Sequence, residues 1–130
     1  MTVAGHERPI RVLVADDSEL FRELLARVIA AEPGFEVVAV AADGNAAAAL
    51  ARTVKPDVIT MDLNMPDADG FSGIARIMAE TPTPILVLTA NPEEARDRAG
   101  GQIKAPRVGS WLSAPREALD RPLTTYYLLI

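Results

Sequence analysis

The chain has 130 residues, of which 49% are hydrophobic and 24% charged, and its formal net charge is -5. This balance predicts one globular domain and excludes a disordered chain, while the negative charge argues against binding to a nucleic-acid backbone. Cysteine is absent and no apolar run reaches the about 20 residues of a membrane span, so we expect a cytoplasmic protein without disulfides, thiolate metal sites or membrane contact.

The first elements are a short lead-in, a strand and a helix. Residues 1–9 lack the apolar core of a signal peptide, and the β-branched apolar run at residues 10–15 predicts a strand buried on both faces. Ser18 has the position of a helix N-cap, and apolar residues recur behind it at helical spacing. The predicted buried face comprises Leu20, Phe21, Leu24, Leu25, Val28 and Ile29, and the predicted solvent face carries Arg22, Glu23 and Arg27.

A second strand and helix follow the helix breaker at residues 33–34. The strand is predicted at residues 35–41, and a turn at residues 43–44 closes it. Asn45 is expected to cap an alanine-rich helix that extends to about residue 54.

The third strand is predicted at residues 58–63 and the third helix at residues 71–79. In that helix, Ile74, Ile77 and Met78 are expected to point inward. A proline-rich connector then leads into a fourth strand at residues 85–88, and another helix is predicted to begin at residue 92.

Strands that alternate with helices through short links predict an α/β fold, a doubly wound parallel sheet with right-handed crossovers and helices on both faces. We therefore divide the chain into a lead-in (1–9), a core domain (10–99) and an atypical C-terminal segment (100–130). Residues 100–122 contain glycine, proline and serine residues in irregular order, without clear periodicity. The tail at residues 123–130 fits either one more strand or an unstructured apolar end.

Three carboxylates follow two of the predicted strands. Asp16 and Asp17 come directly after the first strand, and Asp62 lies at the end of the third. Ligands of open α/β sheets bind at the carboxyl ends of the strands, and carboxylates that meet there are costly without a cation. Oxygen ligands favour Mg²⁺, with the backbone carbonyl of Asn64 as a further ligand. An aspartate at such a site is able to accept a phosphoryl group, and the Thr89 hydroxyl, at the end of the fourth strand, could bond it.

Each of these residues also has a structural interpretation. An aspartate pair after a strand, such as Asp16 and Asp17, is often only a helix cap, and a threonine at a strand end is common. The occurrence of Asp16–Asp17, Asp62 and Thr89 at three strand ends, in this order, favours a shared site.

Three segments together resemble the receiver domain of two-component response regulators, which has a flavodoxin-like fold. They are residues 11–18 (RVLVADDS), residues 56–70 (PDVITMDLNMPDADG) and residues 84–90 (PILVLTA). Residues 41–44 and 80–84 add a similarity to the receivers of chemotaxis protein-glutamate methylesterases. The resemblance implies a switch in which a sensor histidine kinase phosphorylates Asp62, Asp16 and Asp17 organise Mg²⁺, and Thr89 acts as the switch hydroxyl. It also implies a downstream effector or output domain, and no enzymatic activity beyond self-phosphorylation and self-dephosphorylation.

The C-terminal segment departs from the family pattern, in which a fifth strand ends in a lysine that pairs with the phosphoryl group. Residues 108–113 occupy that neighbourhood here and contain no lysine, and Lys104 comes too early to follow a full helix and strand. Such a change of character is typical of a truncation, a frameshift or a divergent C-terminal third. The missing last helix predicts an exposed sheet face, and with it homodimerisation or strand exchange.

Two alternatives stay open at this point. The first is a receiver-like protein-binding module that is not phosphorylated, which the missing lysine favours. The second is a regulatory fragment of a chemotaxis methylesterase, since the chain contains no serine-hydrolase motif. A phosphatase with an aspartate nucleophile is disfavoured, because Asn64 stands where such enzymes carry a second aspartate.

Overall fold

The chain folds into strands that alternate with helices. The structure, a computed structural model, describes residues 8–63, 69–89, 103–104 and 125–129. In chain order the elements are β1 (Ile10–Ala15), α1 (Glu19–Ala31), β2 (Phe35–Ala41), α2 (Gly44–Val54), β3 (Val58–Asp62), α3 (Asp69–Glu80), β4 (Ile85–Thr89), β5 (Ile103–Lys104) and β6 (Thr125–Leu129).

All six strands form one parallel sheet in the order β2-β1-β3-β4-β6-β5. The predicted parallel sheet is therefore confirmed, and its first four strands have the flavodoxin-like order 2-1-3-4. The strand that follows β4 in this order is β6, from the tail of the chain, whereas β5 lies at the outer edge. Of the two predictions for the tail, the strand is the correct one. The helix predicted from residue 92 lies outside the described residues.

Strand β1 is buried on both faces, as its apolar run predicts. Leu13 and Ala15 belong to a core cluster that also contains residues of α2 and α3. Val12 and Val14 belong to a second cluster, on the α1 side. Successive side chains of a strand point to opposite faces, so this alternation places one helical layer on each side of the sheet. In α3, Ile74 and Ile77 are fully buried and Met78 is partly buried against the first cluster, as predicted.

Helix α1 contacts the sheet through a different face from the predicted one. Its half-buried residues are Arg22, Leu25, Ala26 and Ile29, which have the i, i+3, i+4, i+7 spacing of one helical stripe. Leu25 and Ile29 pack against the cluster on this side of the sheet. The other apolar residues are exposed: Leu20 by 66%, Phe21 by 63%, Leu24 by 48% and Val28 by 63%. The prediction that these four residues are buried and that Arg22 faces solvent is therefore wrong.

The helix caps agree with the prediction for α1 and correct it for α2. The Ser18 hydroxyl accepts a hydrogen bond from the Phe21 backbone N–H at 3.3 Å, as an N-cap does. In α2 the cap is Asp43 and not Asn45, because Asp43 Oδ1 accepts from the Ala46 N–H at 2.7 Å. The predicted turn at residues 43–44 is thus the start of this helix. Asn45 instead accepts a hydrogen bond from Arg76 Nη1 at 2.8 Å, which links α2 to α3.

Candidate functional site

The three predicted carboxylates meet at one edge of the sheet. Strands β1 and β3 are parallel neighbours, with Ala15 in register with Met61, so the residues that follow these two positions lie side by side. Asp16, Asp17 and Asp62 each place a carboxylate oxygen within 4.8 Å of the others. This convergence follows from the parallel pairing, because parallel strands bring their carboxyl ends to the same edge.

The carboxylates differ in exposure and in backbone contacts. Asp16 is 7% exposed, Asp62 is half-buried and Asp17 is exposed. Asp16 Oδ1 accepts a hydrogen bond from the Ser18 N–H at 2.9 Å, and the Asp16 N–H donates to the Ala41 carbonyl at 3.0 Å. The cluster is therefore anchored at Asp16 and open to solvent at Asp17.

The contact between Asp16 and Ser18 shows that the helix-cap interpretation of the aspartate pair is partly right. Asp16 does accept a backbone N–H beside the start of α1. An ionised carboxylate has two oxygens, however, and capping occupies only one of them in this contact. Asp16 therefore serves the backbone and the carboxylate cluster at once.

The donor set fits a hard divalent cation. Carboxylate oxygens only accept hydrogen bonds when ionised, so three of them in close proximity repel one another unless a cation lies between them. Mg²⁺ binds through one or two carboxylates and retains several waters, and the exposure of Asp17 leaves room for these waters. The predicted fourth ligand, the carbonyl of Asn64, lies outside the described residues.

An arginine that the sequence analysis assigned to the solvent contacts this site. Arg22 Nη1 donates to the backbone carbonyl of Asp16 at 2.8 Å. The spacing between Ser18 and Arg22 could have revealed this contact. Arg22 lies one helical turn after the cap Ser18, and its backbone N–H donates to the Ser18 carbonyl at 2.8 Å.

Strand β4 brings Thr89 to the same edge of the sheet. Asp62 is in register with Leu88, and the Leu63 N–H donates to the Leu88 carbonyl at 3.1 Å. Thr89 is the next residue of β4 and is in register with Leu129 of β6. The backbone therefore places Thr89 at the carboxyl end of the strand beside Asp62, while its side chain lies outside the described part of the chain.

Lys104 does not occupy the position of the lysine that the resemblance implies. It lies on β5, in register with Tyr126 of β6, which in turn pairs with Leu86 of β4. From Thr89, its backbone is therefore about 10 Å away across two strands and about 10 Å back along the strand direction. The strand that does adjoin β4 reads Thr-Tyr-Tyr-Leu-Leu and contains no lysine. Both facts agree with the expectation that Lys104 comes too early in the chain for this role.

The helices in the described part of the chain are too short or too polar to cross a membrane. The cytoplasmic location stays a prediction.

Residues 12–106 match the response regulator receiver domain family. Over 95 residues the chain is 84% identical to protein-glutamate methylesterase/protein-glutamine glutaminase 2 of Anaeromyxobacter dehalogenans, a match that covers 73% of this chain and 28% of the relative. Over 88 residues it is 51% identical to protein-glutamate methylesterase/protein-glutamine glutaminase 3 of Myxococcus xanthus, covering 68% of this chain and 25% of the relative. The matches thus span about a quarter of the length of these relatives.

Solved structures show the same likeness. The response regulator domain of Thermotoga maritima CheB superposes with a TM-score of 0.66 at 31% identity, covering 94% of this chain and 78% of that one. A chain of the CheX-CheY-BeF3-Mg+2 complex from Borrelia burgdorferi superposes with a TM-score of 0.64 at 26% identity, covering 74% of this chain and 73% of that one.

Proposed function

This chain belongs to the response regulator receiver domain family, and we propose that it acts as a signalling switch by taking up a phosphoryl group on Asp62. The observation that carries the proposal is the convergence of Asp16, Asp17 and Asp62 within 4.8 Å at the carboxyl ends of β1 and β3. The backbone contact of Asp16 accounts for one of these carboxylates, and three ionised carboxylates at this distance repel one another unless a cation lies between them.

Each residue of the site has a distinct role in this proposal. Asp16, Asp17 and Asp62, with the Asn64 carbonyl, hold Mg²⁺, which when bound neutralises negative charge on the phosphoryl group. A carboxylate oxygen of Asp62 forms a bond to phosphorus as the bond between phosphorus and the donor breaks. The Thr89 hydroxyl then donates a hydrogen bond to a phosphoryl oxygen. Because Thr89 moves to make this bond, the backbone next to it moves as well.

The partners follow from the family and from the relatives. We propose that a sensor histidine kinase supplies the phosphoryl group and that the output is a protein-glutamate methylesterase, because the 84% identical relative carries that name. Homodimerisation is a further proposal, on the sequence-based expectation that a sheet face lacks its last helix. A cytoplasmic location would give the chain access to such a kinase.

The test is the intact mass of the protein after incubation with acetyl phosphate and Mg²⁺. We expect one phosphoryl group on the wild-type chain and none on Asp62→Asn or in the presence of EDTA. Asp57→Asn is the matched control, since Asp57 precedes the same strand at its opposite end. That variant should accept the phosphoryl group as the wild type does. A folded wild-type chain that gains no mass would refute the proposal, and so would a phosphoryl group retained on Asp62→Asn.

A second candidate function is binding to a protein partner without phosphorylation. It is favoured by one observation, that β6, the neighbour of β4, contains no lysine. The same mass measurement separates the two candidates, because a binding module of this kind would remain unmodified under all conditions.

A further inference from the structure

An arginine lies on the side of α1 that faces the sheet. The stripe that packs there begins with Arg22 and continues with Leu25 and Ile29, which contact the core cluster formed by Ile10, Val12 and Val14. A charged side chain on such a face is costly unless its donors are bonded. Its half-buried position therefore calls for a hydrogen-bond partner for the guanidinium group.

The partner of Arg22 is the peptide group that joins the first two carboxylate residues of the site. Arg22 Nη1 donates to the Asp16 carbonyl at 2.8 Å. Two further groups of Asp16 are bonded: its N–H donates to the Ala41 carbonyl at 3.0 Å, and its Oδ1 accepts from the Ser18 N–H at 2.9 Å. The bond to the Asp16 carbonyl therefore restricts rotation of the peptide group between Asp16 and Asp17.

The orientation of this peptide group affects the direction in which the Asp17 side chain points. Asp17 is exposed, so the direction of its side chain depends strongly on the backbone that precedes it. If the Asp16 carbonyl were released, the peptide plane could rotate and move the Asp17 carboxylate away from Asp16 and Asp62. The charge of Arg22 acts in the opposite sense, because a nearby cation disfavours Mg²⁺, but water screens this effect at a half-exposed side chain.

We propose that Arg22 is a positioning residue for the metal: by holding the Asp16 carbonyl it keeps the Asp17 carboxylate turned toward the cation that Asp62 shares. This inference rests on the function proposed above. Residues that orient metal ligands without touching the metal typically contribute tenfold or more to affinity. We therefore expect Arg22→Gln to raise the dissociation constant for Mg²⁺ by about 10-fold.

The experiment is a titration of the ¹⁵N-labelled chain with MgCl₂, followed through the backbone amides of residues 16, 17 and 62, at constant ionic strength. Urea unfolding in EDTA gives the stability of each metal-free variant. Arg27→Gln is the matched control, because it removes the same charge from an exposed site of the same helix. Its affinity should stay within about twofold of wild type, since surface charges act weakly. Arg22→Lys keeps the charge and N–H donors but not the planar guanidinium, and should restore part of the affinity.

The outcomes separate this inference from the proposed function. If wild type binds Mg²⁺ and Arg22→Gln is less stable in EDTA but binds as tightly, Arg22 is merely structural and the inference is overturned. Tighter binding by Arg22→Gln would overturn it too, since charge repulsion would then outweigh positioning. A folded wild-type chain that binds no Mg²⁺ would refute both the proposed function and the inference. Should Arg22→Gln not fold, Arg22→Met, which keeps the apolar stem and has no donor for the Asp16 carbonyl, provides the same test, and an affinity equal to that of wild type overturns the inference.

Discussion

Arg8 and Asp57 form a bidentate salt bridge between the segment that precedes β1 and the residue that precedes β3. Arg8 Nη2 lies 2.7 Å from Asp57 Oδ1, and Arg8 Nη1 lies 2.8 Å from Oδ2. Asp57 Oδ2 also accepts the Arg11 backbone N–H at 2.9 Å. Burial raises the pKa of Asp57, but the hydrogen bonds from Arg8 and Arg11 and the charges of both arginines outweigh it, so the pKa lies below its ordinary value.

This carboxylate makes part of the stability dependent on pH. A pKa that is lower in the folded state stabilises the fold at pH values above the ordinary aspartate pKa of about 3.9, and this contribution is lost as the pH falls through the folded value. We expect Asp57→Asn to lower the free energy of unfolding by about 1 kcal/mol at pH 7, because one partner of the pair is largely exposed. Urea unfolding between pH 7 and pH 3 measures the difference.

The difference between wild type and Asp57→Asn should shrink as the pH falls and vanish below the folded pKa of Asp57. A difference that is constant over the whole range would show that Asp57 acts through packing and not through its charge.

Helices α2 and α3 contact each other closely at a pair of glycines. A Cβ atom on Gly73 would lie 2.7 Å from the Cα of Gly44 and 2.9 Å from its carbonyl oxygen. Replacing glycine by alanine inside a helix normally raises the free energy of unfolding by about 1 kcal/mol. Here, however, the new methyl group would clash with the backbone of Gly44, which cannot rotate away as a side chain could. We expect Gly73→Ala to lower the free energy of unfolding by about 1–3 kcal/mol, measured by urea unfolding.

Ser72→Ala is the control for this prediction, because Ser72 is the exposed neighbour of Gly73 in the same helix. It should leave the free energy of unfolding within about 0.5 kcal/mol of wild type. A Gly73→Ala variant at least as stable as wild type would mean that α2 and α3 can separate at low cost.

Two buried threonines differ in their hydrogen bonds. Thr60 is 6% exposed, and its hydroxyl has no hydrogen-bond partner in the part of the chain that the structure describes. Thr83 is 5% exposed, and its hydroxyl donates to the Thr81 carbonyl at 2.7 Å. Valine keeps the branched shape and removes the hydroxyl, so we expect Thr60→Val to stabilise and Thr83→Val to destabilise the protein, each by about 1 kcal/mol.

Thermal and urea unfolding of these two variants check the contrast. Equal destabilisation by both would indicate that the Thr60 hydroxyl is bonded, for example to an internal water.

The carboxylate cluster should be a source of instability when no metal is bound. Asp17→Asn removes one of three charges whose oxygens lie within 4.8 Å, which should raise the free energy of unfolding in EDTA by roughly 0.5–1 kcal/mol. The same variant should lose most of the stabilisation that Mg²⁺ gives to the wild type, because binding to the folded state alone stabilises it. Urea unfolding in EDTA and in MgCl₂ measures both effects.

Glu36→Gln is the control for Asp17→Asn, since Glu36 is an exposed carboxylate on β2. It should change the unfolding free energy little in either solution. A gain of the same size from Glu36→Gln would attribute the effect to net charge and not to the cluster.

The strands and the meeting of the carboxylates could be predicted from the sequence. A parallel strand covered on both faces consists of consecutive apolar residues, and the ranges 10–15 and 35–41 were predicted with the bounds that the structure has. Asp16 and Asp62 follow such runs, so their meeting required only that the two strands be neighbours. The phosphoryl and metal roles of these residues, like the division of the chain at residues 9 and 99, stay predictions.

Helical periodicity could not determine which side of α1 contacts the sheet. Leu20 and Phe21 belong to the same apolar surface of the helix as Leu25. Only part of that surface packs against the sheet, however, and this part includes Leu25. The contact also includes Arg22, because the polar partner of this side chain is the Asp16 carbonyl. That partner belongs to a neighbouring loop and is absent from any pattern within the helix.

Between residues 10 and 89, the sequence by itself determined where the described strands and helices form, since backbone dihedral preference, capping and apolar spacing act over a few residues. Only the tertiary structure decided that Thr125–Leu129 lies beside β4 with Ile103–Lys104 outside it. Only the tertiary structure likewise decided that Arg22 donates a hydrogen bond to the Asp16 carbonyl. Both contacts depend on which backbone groups, far apart in the chain, remain without a hydrogen-bond partner after the local elements form. The composition of a short segment cannot predict this.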